Sequence, residues 1–122
     1  MEYDIKMTPV YGSLEKISIA DAKKLSNHPW FNRTLCEVNE SVVRIGVFNG
    51  EFHWHSHDKE DEFFFVIEGT LAIEVENKET IELKANEGTV IPKGVRHRPL
   101  AAYGATVLMV ESKSIAPIGD ER

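Results

Sequence analysis

Apolar and polar residues alternate along much of this chain in short runs, the two-residue period of strands with one buried face. Leu71, Ile73 and Val75 interleave with Ala72, Glu74 and Glu76, and Ile81 and Leu83 repeat the pattern within 80–84. Further strands are predicted at Trp30–Val38, Ser41–Phe48, Thr89–Ile91, Val95–Ala101 and Ala105–Glu111. Turn residues separate them: Asn39-Glu40, Asn77-Lys78-Glu79, Asn86-Glu87-Gly88, Pro92-Lys93-Gly94 and Tyr103-Gly104. Asn49-Gly50 is a strong two-residue hairpin signal, so Glu51–His57 is expected to return antiparallel to Ser41–Phe48. That register would set Gly46 opposite His53, Arg44 opposite His55 and Val42 opposite His57. Ser56 to Asp61 is polar and must bend before the strand Glu62–Ile67. Phe63 to Ile67 is apolar without a break, which implies burial on both faces. The outer of the two faces is either a subunit contact or is covered by the N-terminal segment.

Only one stretch reads as helical. Ser18 can cap it, Asp21 favours its positive end, and Asn27-His28-Pro29 stops it. His28 is therefore read as a helix-end residue and not a ligand. Residues 1–16 form an irregular arm or edge strand ahead of the helix, and 112–122 form a tail that wraps the surface or frays. Eight or nine short strands and one helix predict an all-β sandwich or barrel, a single domain over 1–122.

Composition narrows the partners. A chain of 122 residues, 42% hydrophobic and 28% charged, suits one soluble core. A net charge of −6 with scattered basic residues argues against nucleic acid, and no run approaches membrane-spanning length. The single cysteine, Cys36, permits no internal disulfide and reads as a small buried apolar residue. The N-terminus lacks the apolar core of a signal peptide, so a cytoplasmic location is the default expectation.

The chemistry concentrates in Gly50–Gly69. Three of the five histidines stand at alternate positions, His53, His55 and His57, and the acids Asp58, Glu60, Asp61 and Glu62 follow at once. On a strand the three imidazoles share a face, with a carboxylate arriving from the next strand. Imidazole and carboxylate are the usual ligands of first-row transition metals. A solvated polar strand is the plain alternative. The strand-like runs on both sides weigh against it.

Two motifs resemble those of the cupins. The first is written G-x5-H-x-H-x3,4-E-x6-G, and His55-Ser-His57, four residues, Glu62, six residues and Gly69 match it. Its leading glycine is displaced, since four residues separate Gly50 from His55. The second is G-x5-P-x-G-x2-H-x3-N, matched at its centre by Pro92-Lys-Gly94-Val-Arg-His97. Asn86 stands where the second motif begins with glycine, and Asn tolerates positive φ better than other residues with a side chain. Ala101 replaces its final Asn. Together with the short segment between them, the motifs are similar to a group of small cupins described as resembling mannose-6-phosphate isomerase.

This resemblance implies a double-stranded β-helix, or jelly roll, usually a homodimer. It places metal ligands at His55, His57, Glu62 and His97. Asp61 fits the shorter spacing but leaves seven residues before Gly69, so Glu62 is preferred. His53 falls to the pocket wall. Arg44 either enters the pocket, where it could hold a carboxylate or phosphate, or is an exposed strand cation. Arg96 and Arg98, flanking His97, should point away from it.

The implied cofactor is one divalent ion (Fe, Mn, Ni, Zn, Co or Cu) with open coordination positions able to polarise a carbonyl, activate water or bind oxygen. The expectation is a metal-dependent enzyme, dioxygenase- or isomerase-like, on a small oxygenated molecule. The alternative is a non-catalytic module that binds a small molecule or sugar.

Overall fold

A computed structural model describes residues 3–120 of the chain. The extreme ends of the predicted arm and tail, 1–2 and 121–122, lie outside the described residues. Among the described residues there are seven strands and one helix. In chain order these are β1 (Asp4–Lys6), α1 (Ile19–Lys23), β2 (Trp30–Val38), β3 (Ser41–Glu51), β4 (Glu62–Val75), β5 (Ile81–Lys84), β6 (Gly88–Ile91) and β7 (His97–Ser112). The strands order as β1-β2-β3-β7-β4-β5, with β6 also on β4. Among these strands only the β1–β2 pair is parallel.

The strand count falls below eight or nine because long strands replace pairs of short ones. β4 runs through Gly69, and β7 runs through Tyr103-Gly104. Gly69 (φ 83°) and Gly104 (φ 90°) adopt the left-handed conformation, and the β4–β7 register shifts between Gly69 and Ala72. A glycine bulge bends a strand without ending it, so one strand can pass from one sheet of the roll to the other. The space at this corner is tight: a Cβ on Gly69 would run into the backbone of Gly104 and Ala105.

The expected hairpin at Asn49-Gly50 does not form. β3 continues to Glu51 and pairs with β7, Gly50 against Ala101 and Glu51 against Leu100, with a register shift between Phe48 and Gly50. Gly50 does take positive φ (105°). The dipeptide serves a bulge, because the edge of β7 offers β3 a long partner that a local hairpin would forgo. The predicted pairs of Gly46, Arg44 and Val42 with the histidines are replaced by Gly46 with Asn32 and Val107, Arg44 with Thr34 and Met109, and Val42 with Glu37 and Glu111.

Inward-facing side chains fill the barrel, with Trp30, Phe48, Phe52, Phe64, Leu71, Ile73 and Met109 among its core. Trp30 stacks on Phe48 with ring centroids 4.0 Å apart. A second, smaller core lies outside the sheet: Ala22 of α1 covers Phe31, Leu35 and Ile45, with Tyr11 and Ile19 at its edge. Ser18 caps the helix, its Oγ accepting from the Asp21 N–H at 3.1 Å. Phe63 and Phe65 stand outside both cores, stacked and half-buried, whereas Phe64 and Val66 point inward and are buried. The apolar run is thus split between the barrel interior and an outer face on which Phe63 and Phe65 are half-buried.

Candidate metal centre

The segment between β3 and β4 places the first motif. It is extended but not a full strand, and it touches the sheet through one isolated bridge between His55 and His97. The His55 N–H donates to the His97 carbonyl at 3.0 Å, and the His97 N–H donates back at 2.9 Å. Directly bridged residues share a face, so the two imidazoles meet, with ring centroids 4.4 Å apart. His57 follows two residues on and faces the same way, 5.0 Å from His55 and 6.0 Å from His97. The Pro92-Lys93-Gly94 turn is tied to this segment: the Gly94 N–H donates to the His57 carbonyl at 2.7 Å, with Gly94 at φ 80°. That tie explains the spacing from Pro92 to His97, since the turn docks on one ligand and β7 then delivers another. Glu62 opens β4 and points inward.

The ligating atoms of His55, His57, Glu62 and His97 lie within 4.8 Å of one another, and all four residues are buried. The Nε2 atoms of His57 and His97 stand 3.5 and 3.4 Å from Glu62 Oε1. Two donors about 2.1 Å from one ion lie roughly 3–3.5 Å apart, so these separations suit shared coordination. Both ring nitrogens of His57, Nε2 of His97 and Oε1 of Glu62 are buried without a hydrogen-bond partner among the described residues. Leaving such groups unpaired is costly, and an ion would satisfy the atoms that converge here. His55 donates its Nδ1–H to the His53 carbonyl at 3.0 Å, and His97 donates its own to the Val95 carbonyl at 2.9 Å. Each bond fixes the tautomer that leaves Nε2 bare for a metal.

Electrostatics agree with this assignment. Burial, reinforced by His97, lowers the His55 pKa to about 4, so its imidazole is neutral at physiological pH. Burial by itself would raise Glu62, but His57 and His97 beside it hold the carboxyl below the usual carboxylate range. The set is therefore three imidazoles and one carboxylate, which could hold a metal ion. Asp61 turns outward and accepts from the Lys93 N–H at 2.9 Å.

His53 lies at the mouth, not in the cluster. Its Nε2–H donates to the Ile118 carbonyl at 2.6 Å, leaving Nδ1 to accept from the Tyr3 hydroxyl at 2.9 Å. It lines a cavity of about 450 Å³ with Trp54, His55, Glu76, Arg96 and Ile118. Arg96 and Arg98 flank the Trp54 ring at 5.3 and 5.5 Å and pair with Glu76 and Glu74.

Arg44 corrects the sequence reading. It is neither a pocket cation nor an exposed one: it is fully buried in the barrel, and its donors are committed. Nε donates to Asn32 Oδ1 at 2.6 Å and stands 3.3 Å from Glu111 Oε1, and Nη1 donates to Thr34 Oγ1. The change follows from the lost hairpin, which would have set Arg44 beside the imidazoles. Glu111, unmarked in the sequence reading, lies opposite Glu62 in the β4–β7 register. Burial and the neighbouring Glu62 push its carboxyl well above the usual range, against the pull of Arg44. Its inward register after Val107 and Met109 was the available signal.

The second residue group that sequence reasoning missed is the tail. Ile115 is buried, and Pro117 lines a small cavity of about 20 Å³ with His55, Glu62, Phe64 and Met109. Gly119 (φ 94°) passes so close to His55 that a Cβ there would lie 2.5 Å from the histidine Cβ. The tail is thus a strap across the barrel mouth.

A jelly-roll barrel with this buried histidine–carboxylate cluster defines a cupin. Residues 43–111 match the cupin domain family, and the chain belongs to it. It is 46% identical over 82 residues to the uncharacterized protein YdbB of Bacillus subtilis (strain 168), covering 67% of this chain and 73% of that protein. A cupin-2 domain containing protein from Shewanella frigidimarina shares the fold at TM-score 0.74 and 38% identity, over 79% of this chain and 93% of that one. An uncharacterized conserved protein with a double-stranded β-helix domain from Klebsiella pneumoniae has TM-score 0.70 at 21% identity, over 83% of this chain and 86% of that one. Among the described residues, no helix is long and apolar enough to cross a membrane.

Proposed function

We propose that the protein binds one divalent transition-metal ion through His55, His57, Glu62 and His97 and acts as a metal-dependent enzyme, dioxygenase- or isomerase-like, on a small oxygenated organic molecule. The observation that carries this reading is the convergence of buried, unpartnered His57, His97 and Glu62 atoms on one point. When bound, the ion supplies Lewis-acid polarisation or activation of a small oxidant at its open positions. The chain's own part is to hold the His55 and His97 rings by their carbonyl contacts with His57 beside them, to keep His55 neutral and Glu62 ionised, and to exclude water with Phe52, Phe64 and the strap. The mouth cavity falls within the size range of small-ligand sites, and His53, Trp54 and Arg96 are its polar and aromatic contacts for substrate.

The test is to purify the protein, identify its metal, and measure oxygen uptake and isomerisation with enediols, diketones and keto-sugars. Metal-dependent turnover is expected. A reconstituted protein that retains no metal refutes the reading.

One observation favours a second reading, a non-catalytic module that holds a small molecule or sugar. With the strap in place the space beside the quartet is only about 20 Å³, room for little more than a water. Under that reading a sugar or other small ligand raises the melting temperature without any turnover.

A second copy of the chain is proposed to cover the outer face of Phe63 and Phe65. Support comes from an apolar row running across five strands, Cys36, Val43, Val110, Phe63 and Val90, in which Val90 and Val110 are exposed. Sedimentation of Val110→Glu as a monomer beside a dimeric wild type would support it, and a monomeric wild type would refute it. A nucleic-acid partner is not expected at net charge −6. The cytoplasm suits a chain whose single cysteine needs no oxidative folding. A signal from the chain at the cell envelope after fractionation would contradict that placement.

A further inference from the structure

The three imidazoles of the quartet are not held alike. His55 and His97 each anchor Nδ1 on a backbone carbonyl two residues upstream. His57 is 2% exposed, and its Nδ1 has no partner among the described residues. A metal-bound histidine almost always donates its other N–H to a carboxylate, a carbonyl or water. Beside His57 stand two carboxylates: Glu60, Asp120 and a His57 ring nitrogen come within 4.8 Å of one another. Glu60 is held by the Ser114 hydroxyl at 3.1 Å. Asp120 accepts from the Asp58 N–H at 2.6 Å, while its own N–H donates to the Ser56 carbonyl at 3.0 Å. Each carboxylate is thus held to the chain through one oxygen, and each has a second oxygen able to accept a further hydrogen bond.

We propose that His57, with Nε2 turned to the metal, donates its Nδ1–H to the carboxylates of Glu60 and Asp120, which makes these two positioning residues and ties the C-terminal strap to the metal centre. The inference rests on the metal reading given above. It adds a physical reason for the course of the strap: Asp120 completes the support of one ligand, while Gly119 packs against another. Strap closure and metal binding then favour each other, because each orders groups that the other needs.

The test uses wild type, Asp120→Ala, Glu60→Ala, the double Ala variant and the double Asp120→Asn/Glu60→Gln variant. Each is stripped with a chelator and titrated with Co²⁺. The readouts are affinity by competition with a chromophoric chelator, ions bound per chain, the visible Co²⁺ spectrum, and the melting temperature of the metal-free protein. The double Ala variant is expected to bind Co²⁺ about 10–100-fold more weakly, with an altered spectrum. The Asn/Gln variant should recover part of that loss, since amide oxygens still accept an N–H, and it carries the test if the double Ala variant does not fold. Unchanged affinity in the folded variants overturns the inference and leaves the metal reading standing. A second ion per chain in wild type, lost in Asp120→Ala, also overturns it, because the cluster would then be a cation site in its own right. A wild type that takes up no Co²⁺ overturns the metal reading itself.

Discussion

Replacing Arg44 with methionine removes the cation from a buried pair and leaves Glu111 beside Glu62 with no compensating charge. Arg44 is 0% exposed and Glu111 is 3% exposed, so water cannot take over the lost interaction. Removing one partner of a buried ion pair costs about 3–5 kcal/mol, largely the penalty of the stranded charge. Asn32 also loses its 2.6 Å donor, and Thr34 loses its contact. Glu111 can relieve part of the strain by taking a proton, because burial and Glu62 already raise its pKa. Arg44 pulls that pKa down, so its loss raises it further, and the variant's folded state then holds the proton to higher pH than wild type does; the deficit should therefore deepen as pH rises above the ordinary carboxylate value. Urea unfolding of metal-free protein, followed by Trp30 and Trp54 fluorescence between pH 5 and 8, measures this directly. Adding Glu111→Leu to Arg44→Met should restore at least about 2 kcal/mol, since apolar replacement of a whole buried pair is often neutral or stabilising. An Arg44→Met loss below about 1 kcal/mol, or a double variant no better than the single, would refute the reasoning.

Other consequences are open to simpler tests. Gly69→Ala should cost at least about 2 kcal/mol in urea unfolding, because φ 83° is unfavourable for alanine and its methyl would meet the backbone of Gly104 and Ala105. Metal-free protein should lose stability as pH falls from 6.5 toward 4. The unfolded state protonates His55 there while the folded state does not, a loss of up to ~1.4 kcal/mol per pH unit from this residue. His55→Gln should flatten that part of the profile, and an unchanged profile would show that His55 is not held neutral.

Much of the fold was legible because strand period and turn chemistry are local. Asn86 takes φ 71° at the turn where the second motif begins with glycine, and Ser18 caps the helix where the sequence marks its start. The errors share a cause: the Asn49-Gly50 signal is local, while the pairing of β3 with β7 joins residues about fifty to seventy positions apart. Arg44 moved with that register, from beside the imidazoles to the side of Glu111. His55, His57, Glu62 and His97 were readable because their spacing resembles a family pattern. The parts played by Glu60, Glu111 and Asp120 were less so: nothing set Glu60 apart within its run of acids, Glu111 carried only its inward alternation after Val107 and Met109, and an acid in a tail has no local mark of its contacts. What gives each its place is a contact made across the barrel: Glu111 with Arg44, Asp120 with the Ser56–Asp58 backbone.

The central claim, one ion held by four named residues, is tested most directly by elemental analysis combined with thermal melts. Purified wild type should carry or take up one transition-metal ion per chain, lose melting temperature on chelation and regain it on reloading. At metal concentrations a hundredfold above Kd the linkage amounts to about 2.7 kcal/mol. His97→Ala and Glu62→Gln should abolish that metal-dependent shift while still folding. A wild type whose melting ignores added metal, or a His97→Ala variant that binds as tightly as wild type, would contradict the account.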